Sequence, residues 1–186
     1  MENKTIYLNF FDAIDPIKVS KFIQFTSDVI QQHNPTELYF FISSNGGDVD
    51  SGFVLYNFLV SLQGKMTITM HNTGTIDSIA NVIFASGQNR YAAPNAAFLF
   101  HGVSMNFGGP QTRTAIKEAL SRIEGMENRI AQTVSANSKL TEKELTALFQ
   151  QGEGKDVNFA LTKEIIQEIK VPSVPQGAIH IAIPIG

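Results

Sequence analysis

Short apolar runs alternate with stretches of helical periodicity over most of the chain. Residues 5–10 (TIYLNF) alternate as a strand does. Asp15-Pro16 then marks a helix start, an N-cap followed by proline at the first helical position. Ile17, Phe22, Phe25, Val29 and Ile30 recur at helical spacing, and His33-Asn34-Pro35 closes that helix. Residues 37–43 (ELYFFIS) form a continuous apolar run, the pattern of a strand covered on both faces. A Gly46-Gly47 break, a helix over 53–62 and an alternating strand over 65–72 follow. Residues 78–85 read as a buried helix and 96–103 (AAFLFHGV) as another core strand.

From Gln111 onward the character changes. Ile116, Leu120, Ile123, Ile130 and Val134 mark one face of a long helix over about 111–136. A shorter helix is expected over 142–150 and a last one after Asp156, before an extended proline-containing tail over about 171–186. Strands alternating with helices of about ten residues or more predict right-handed crossover units and an α/β fold. No internal repeat or linker divides the 186 residues, so one domain over 1–186 is expected.

Composition narrows the functional classes. Apolar residues make up 43% and charged residues 17%, the balance of an ordinary globular protein. A net charge of −3 gives no electrostatic reason to expect nucleic acid. No apolar run approaches the roughly 20 residues of a membrane span. The polar start Met1-Glu2-Asn3-Lys4-Thr5 lacks the apolar core of a signal peptide, so a cytoplasmic location is the default and the sequon Asn3-Lys4-Thr5 is read as chance. Cysteine is absent, which excludes disulfides and thiol chemistry. His33, His71 and His180 show no metal-ligand spacing, and Asp48-x-Asp50 lacks the remaining ligands of a calcium loop. No metal or cofactor is expected.

Three separated segments carry candidate chemistry. Ser44-Asn45-Gly46-Gly47-Asp48 ends a buried strand, and its glycines free backbone N–H groups to approach a developing negative charge. Gly74-Thr75-Ile76-Asp77-Ser78-Ile79-Ala80 joins a strand to an apolar helix. A serine there is most simply an N-cap, yet a nucleophile would gain from the same N–H groups. His101 ends the run AAFLFH; a lone histidine after an apolar strand is more often a core residue, but imidazole suits a general base near neutrality.

In this order, the segments resemble the Clp protease proteolytic subunit family. Its Ser-Pro-Gly-Gly turn after an apolar strand is similar to Ile42-Ser43-Ser44-Asn45-Gly46-Gly47. Its Gly-x-x-x-Ser opening a buried helix is matched by Gly74 to Ser78, with FASG at 84–87 behind. Its Pro-Asn before the histidine strand is matched by Arg90-Tyr91-Ala92-Ala93-Pro94-Asn95 and then His101. The long helix after Gly108-Gly109 resembles the family's handle helix. The match runs from about residue 5 to 170.

The resemblance implies a ClpP/crotonase-type α/β fold of repeated ββα units and a serine endopeptidase with Ser78 as nucleophile and His101 as general base. It assigns the oxyanion hole to the N–H of Gly46 or Gly47 together with that of Ile79. It implies a polypeptide substrate, a homo-oligomer (a heptameric ring or stacked rings) and a AAA+ unfoldase partner, although only Met1 to Lys4 precede the first strand where the family carries its pore loops. Departures are Asn45 for the turn's proline and Asp77 for the small residue before the nucleophile. The family's third triad member falls within Gln150-Gln151-Gly152-Glu153-Gly154-Lys155-Asp156. Glu153 is the first candidate to orient His101 and Asp156 the second, since Asp156 also reads as the N-cap of the final helix. Two rivals stay open: a catalytically silent scaffold subunit, and a crotonase-type acyl-CoA enzyme on the same fold.

Overall fold

The computed structural model describes residues 4–184. Met1 to Asn3, with the sequon's asparagine, and the last two residues of the tail lie outside the described residues. The elements run β1 (Thr5–Phe11), α1 (Pro16–His33), β2 (Glu37–Ser44), α2 (Val49–Leu62), β3 (Thr67–Asp77), α3 (Ala80–Ala85), β4 (Asn89–Ala92) and β5 (Ala97–Leu99). They continue with α4 (Arg113–Ala136), α5 (Glu142–Gln151), β6 (Gly154–Asp156), α6 (Val157–Thr162), β7 (Glu168–Ile169) and β8 (Ile179–Ala182). The strands form one sheet in the order β6-β5-β3-β2-β1-β8, with β4 and β7 branching from β3. All pairings are parallel except β5 with β6. The α/β class expected from the alternating pattern is therefore observed.

Local chemistry sets the helix ends. Asp15 Oδ1 accepts from Lys18 N–H at 2.9 Å with Pro16 at the first position, and Asn34 closes α1 in the left-handed conformation. Asp48 caps α2, which starts at Val49 rather than near residue 53 because that cap, not the apolar run, sets the boundary. Thr141 and Glu144 form a reciprocal capping box on α5.

Period-two alternation along β1 and β2 divides the sheet into two faces. Ile6, Leu8, Phe10, Leu38, Phe40 and Ile42 enter the main core with Val19, Phe22 and Val29 of α1 and Leu55 and Leu59 of α2. Tyr7, Tyr39 and Phe41 point the other way, and Val174 and Ala178 of the C-terminal segment pack on them. The tail thus covers the second face, and β8 adds an edge strand beside β1. Ile17 departs from the expected α1 stripe and is 70% exposed, because the buried face follows Val19, Phe22, Thr26 and Val29. On α4 Ile130, Ala131 and Val134 enter the main core and Ala119 is buried apart from it, while Ile116 and Leu120 stay exposed. Among the described residues no helix is long and apolar enough to cross a membrane.

His71 anchors the tail. Its Nε2 lies 2.8 Å from the Lys170 carbonyl, an acceptor, so Nε2 carries the proton and Nδ1 accepts from the Tyr39 hydroxyl at 2.8 Å. Burial holds the imidazole below its ordinary pKa, with Lys170 adding to the effect against the opposing Lys170 hydrogen bond and Glu168. Tyr91 and Phe41 flank the ring. A histidine depressed in the folded state contributes stability that is complete above its unfolded pKa, near 6.5, and is lost as pH falls below it. We expect the urea midpoint to fall between pH 7 and pH 5, and His71→Gln to flatten that dependence. Parallel curves for the two proteins would show that His71 is not the titrating group.

Candidate active site

Three loops meet at the C-terminal ends of the neighbouring parallel strands β2, β3 and β5, where ligands bind in sheets of this kind. Asp77 of β3 stands opposite Leu99 of β5, so Ser78 and His101 follow one and two residues beyond a shared register point. Between β2 and β3 the register jumps, from Ile42 opposite Asn72 to Ser44 opposite Ile76. Ser43 Oγ accepts the Thr75 N–H at 3.1 Å inside this irregularity, and a Cβ on Gly74 would lie 2.6 Å from the same oxygen. That close approach carries β3 past Asn72, where its alternation stops, to Asp77.

Ser78 is not the N-cap its position in the sequence suggested. Helix α3 starts at Ala80, its cap position is Ile79, and no side chain caps it. Ser78 takes φ 57°, the left-handed region, which costs a non-glycine residue roughly 1–2 kcal/mol. The turn is held by Ser78 N–H to Leu99 O at 2.9 Å and by Asn81 N–H to Ser78 O at 3.1 Å. Among the described residues the Ser78 hydroxyl has no hydrogen-bond partner, and the side chain is half-buried. Observed strain of this kind gathers at functional turns.

The glycine turn lies against this serine. Gly46 has φ 82°, and a Cβ placed there would fall 2.6 Å from Ser78 Cβ and 2.7 Å from Asp77 O. Gly47, at φ 147°, presses on strand-like residue Ile14, whose carbonyl oxygen would be 2.1 Å from an added Cβ. Ile14 N–H donates to Gly46 O and Asp48 N–H to Ile14 O, both at 2.8 Å. The Gly46 N–H is used by Ser44 Oγ at 3.2 Å, whereas the N–H groups of Gly47 and Ile79 have no acceptor among the described residues. The Ile79 side chain is fully buried, seated where Gly52 of α2 leaves room for it. Asp77 receives the Thr75 hydroxyl.

His101 is half-buried, and its Nδ1 lies 2.8 Å from the Gly102 carbonyl. An acceptor there places the proton on Nδ1 and leaves the Nε2 lone pair as the base. The segment beyond is pinned by Gly102 N–H to Phe149 O at 3.0 Å and by Val103 N–H to Glu127 Oε1 at 2.9 Å. Neither expected carboxylate hydrogen-bonds to His101 in the described residues. Glu153 is exposed and pairs with Lys155 Nζ at 3.1 Å. Asp156 spends its carboxylate on the Phe159 N–H at 2.8 Å as the N-cap of α6, which also lowers its pKa. The capping demand of α6 outweighs a reach toward the imidazole.

Two residues at the site were not singled out from the sequence. Asn81 had a signal, a lone amide inside the apolar run IANVIFA. Glu127 had one too, a carboxylate interrupting the apolar stripe of the long helix between Ile123 and Ile130.

The Clp protease family profile matches residues 16–171. The chain is 29% identical over 164 residues to the ATP-dependent Clp protease proteolytic subunit 2 of Pseudomonas aeruginosa, covering 78% of each chain. It is 26% identical over 141 residues to the ATP-dependent Clp protease proteolytic subunit of Streptococcus mutans, covering 74% of this chain and 70% of that one. A Borreliella burgdorferi subunit 2 of the same description is 25% identical over 134 residues, with 70% and 67% covered.

Proposed function

Because this chain belongs to the Clp protease family, we propose that it is a serine endopeptidase working through Ser78 and His101. One observation carries the reading: a strained serine sits against a glycine turn, and its hydroxyl and the nearby N–H groups of Gly47 and Ile79 are without partners among the described residues. Ser78 Oγ adds to the scissile carbonyl as its proton passes to His101 Nε2. Negative charge on the former carbonyl oxygen meets the N–H groups of Gly47 and Ile79. Collapse expels the amine, which takes the proton from His101 and leaves an acyl ester on Ser78. Water then adds with His101 again as base, and the acid leaves with Ser78 restored. Between the two glycines named for the hole, the open N–H favours Gly47 as donor, with Gly46 allowing the close approach.

The Gly102 carbonyl takes the orienting role proposed for Glu153 or Asp156, fixing the tautomer without a negative charge to stabilise imidazolium. That makes the enzyme slower than a full triad. It also favours the second reading, a scaffold subunit without turnover, on the single observation that no carboxylate among the described residues bonds to His101. Substrates are polypeptides. Exposed Ile116 and Leu120 on α4 support a homo-oligomer. The relatives are called ATP-dependent, and an ATPase partner enters the proposal from that alone.

The test is hydrolysis of fluorogenic peptides and of acyl-CoA thioesters by wild type and His101→Ala. Peptide cleavage that falls about 10³-fold in the variant is expected, given the non-additive losses of nucleophile–base pairs. Thioester turnover with no peptide cleavage would move the acyl-CoA reading to the front, and neither activity would favour the scaffold.

A further inference from the structure

Asn81 is only 3% exposed, on an otherwise apolar helix turn, and its Oδ1 has no hydrogen-bond partner among the described residues. Burying an amide in this way is unfavourable unless something uses it. Its Nδ2 faces three backbone carbonyls, Leu99 at 3.0 Å, Ser78 at 3.1 Å and Ile76 at 3.3 Å. The opposite amide orientation would set Oδ1 against three oxygens, so the orientation is fixed by repulsion. Two of these carbonyls do not depend on the side chain. Leu99 O already accepts the Ser78 N–H, and Ser78 O already accepts the Asn81 N–H. For these two carbonyls the amide is a second donor, not the one that satisfies them.

It ties the end of β3 to the end of β5. Ser78 is the first residue beyond β3, and His101 the second beyond β5. One short, rigid side chain thus spans the two places from which nucleophile and base emerge. We infer that Asn81 is a positioning residue that sets the distance between Ser78 and His101 and holds Ser78 in its left-handed conformation. This rests on the Ser78–His101 reading above. Without the amide, the turn keeps its backbone bonds but loses the link that fixes it sideways, and proton transfer between two misplaced groups slows steeply.

The experiment is time-resolved labelling by a fluorophosphonate, read by intact mass, on the full chain as wild type, Asn81→Ala and Asn81→Ser. The labelled fraction at completion counts competent sites, and the rate constant reports their geometry. For Asn81→Ala we expect complete labelling at a rate 10- to 100-fold lower, with the same shape of pH profile because the amide is neutral. Peptide KM should stay within about twofold while kcat falls. Asn81→Ser, which keeps one short donor, should fall between the two, and it supplies the comparison if Asn81→Ala does not fold. A rate within threefold of wild type, or a lowered labelled fraction at an unchanged rate, would overturn the positioning role and leave Ser78 as nucleophile. Wild type that takes no label would overturn both.

Discussion

Ser78→Ala is expected to lower peptide cleavage by at least about 10³-fold and to leave the thermal midpoint within about 2 °C of wild type. The activity loss follows from removing the only atom that forms the acyl ester; in enzymes of this kind such losses reach about 10⁶-fold. The small stability effect follows from what the hydroxyl does not do. It caps no helix and accepts no hydrogen bond among the described residues, so its removal orphans nothing. Alanine keeps the Cβ that makes φ 57° unfavourable, so the turn's strain is unchanged. Peptide cleavage and calorimetry on the same preparation check both parts. Cleavage that survives the substitution would place the chemistry elsewhere.

Gly46→Ala is expected to damage both stability and activity. The added methyl would meet Ser78 Cβ at 2.6 Å and Asp77 O at 2.7 Å, neither of which is the free end of a flexible side chain. It would also hold alanine at φ 82°, at a cost of roughly 1–2 kcal/mol before any overlap is relieved. Relief must push the glycine turn away from Ser78 and carry the Gly47 N–H with it. Loss of one oxyanion donor typically costs about 10²–10³ in kcat, and that is the fall expected here. Gly152→Ala is the internal control. It shares the left-handed conformation at φ 61°, but an added Cβ there meets nothing within 4 Å. It should lose only about 1 kcal/mol of stability and little activity. Equal activity losses in the two variants would mean that general destabilisation, not the turn's contact with Ser78, is being measured.

The elements most legible in the sequence were those whose signal is local. Asp15-Pro16, Asn34 and Asp156 act through their own turns, and each sits at the helix end it announced. What escaped depends on partners distant in the chain. Strand β4 contains Arg90, whose charge argues against a buried strand. Its guanidinium is satisfied by the carbonyls of Ile165, Gly87 and Asn137 at 2.8 Å and Glu164 at 3.2 Å, and all but Gly87 are distant in the chain. Strand β8 pairs with β1 from the opposite end of the sequence. The apolar stripe of α4 was read correctly as a stripe, but periodicity does not say whether Ile116 and Leu120 face their own subunit or another surface.

At the site, order along the chain brought Ser78, His101 and the two glycines into view before any geometry was known. The conformation of Ser78 was hidden, because a left-handed serine and an N-cap serine look alike in sequence. The partner of His101 was hidden for a different reason. A carboxylate in the right interval draws attention, while the Gly102 carbonyl that meets the ring is present in every peptide unit.

The central claim is that Ser78 is an activated nucleophile, and covalent capture tests it most directly. Wild-type protein is treated with a fluorophosphonate, weighed intact, and digested to locate the adduct, with Ser78→Ala alongside. The account predicts one adduct per chain, on the peptide containing Ser78, and none on the variant. An adduct on another serine, or no adduct on folded wild type across pH and oligomeric state, would contradict it.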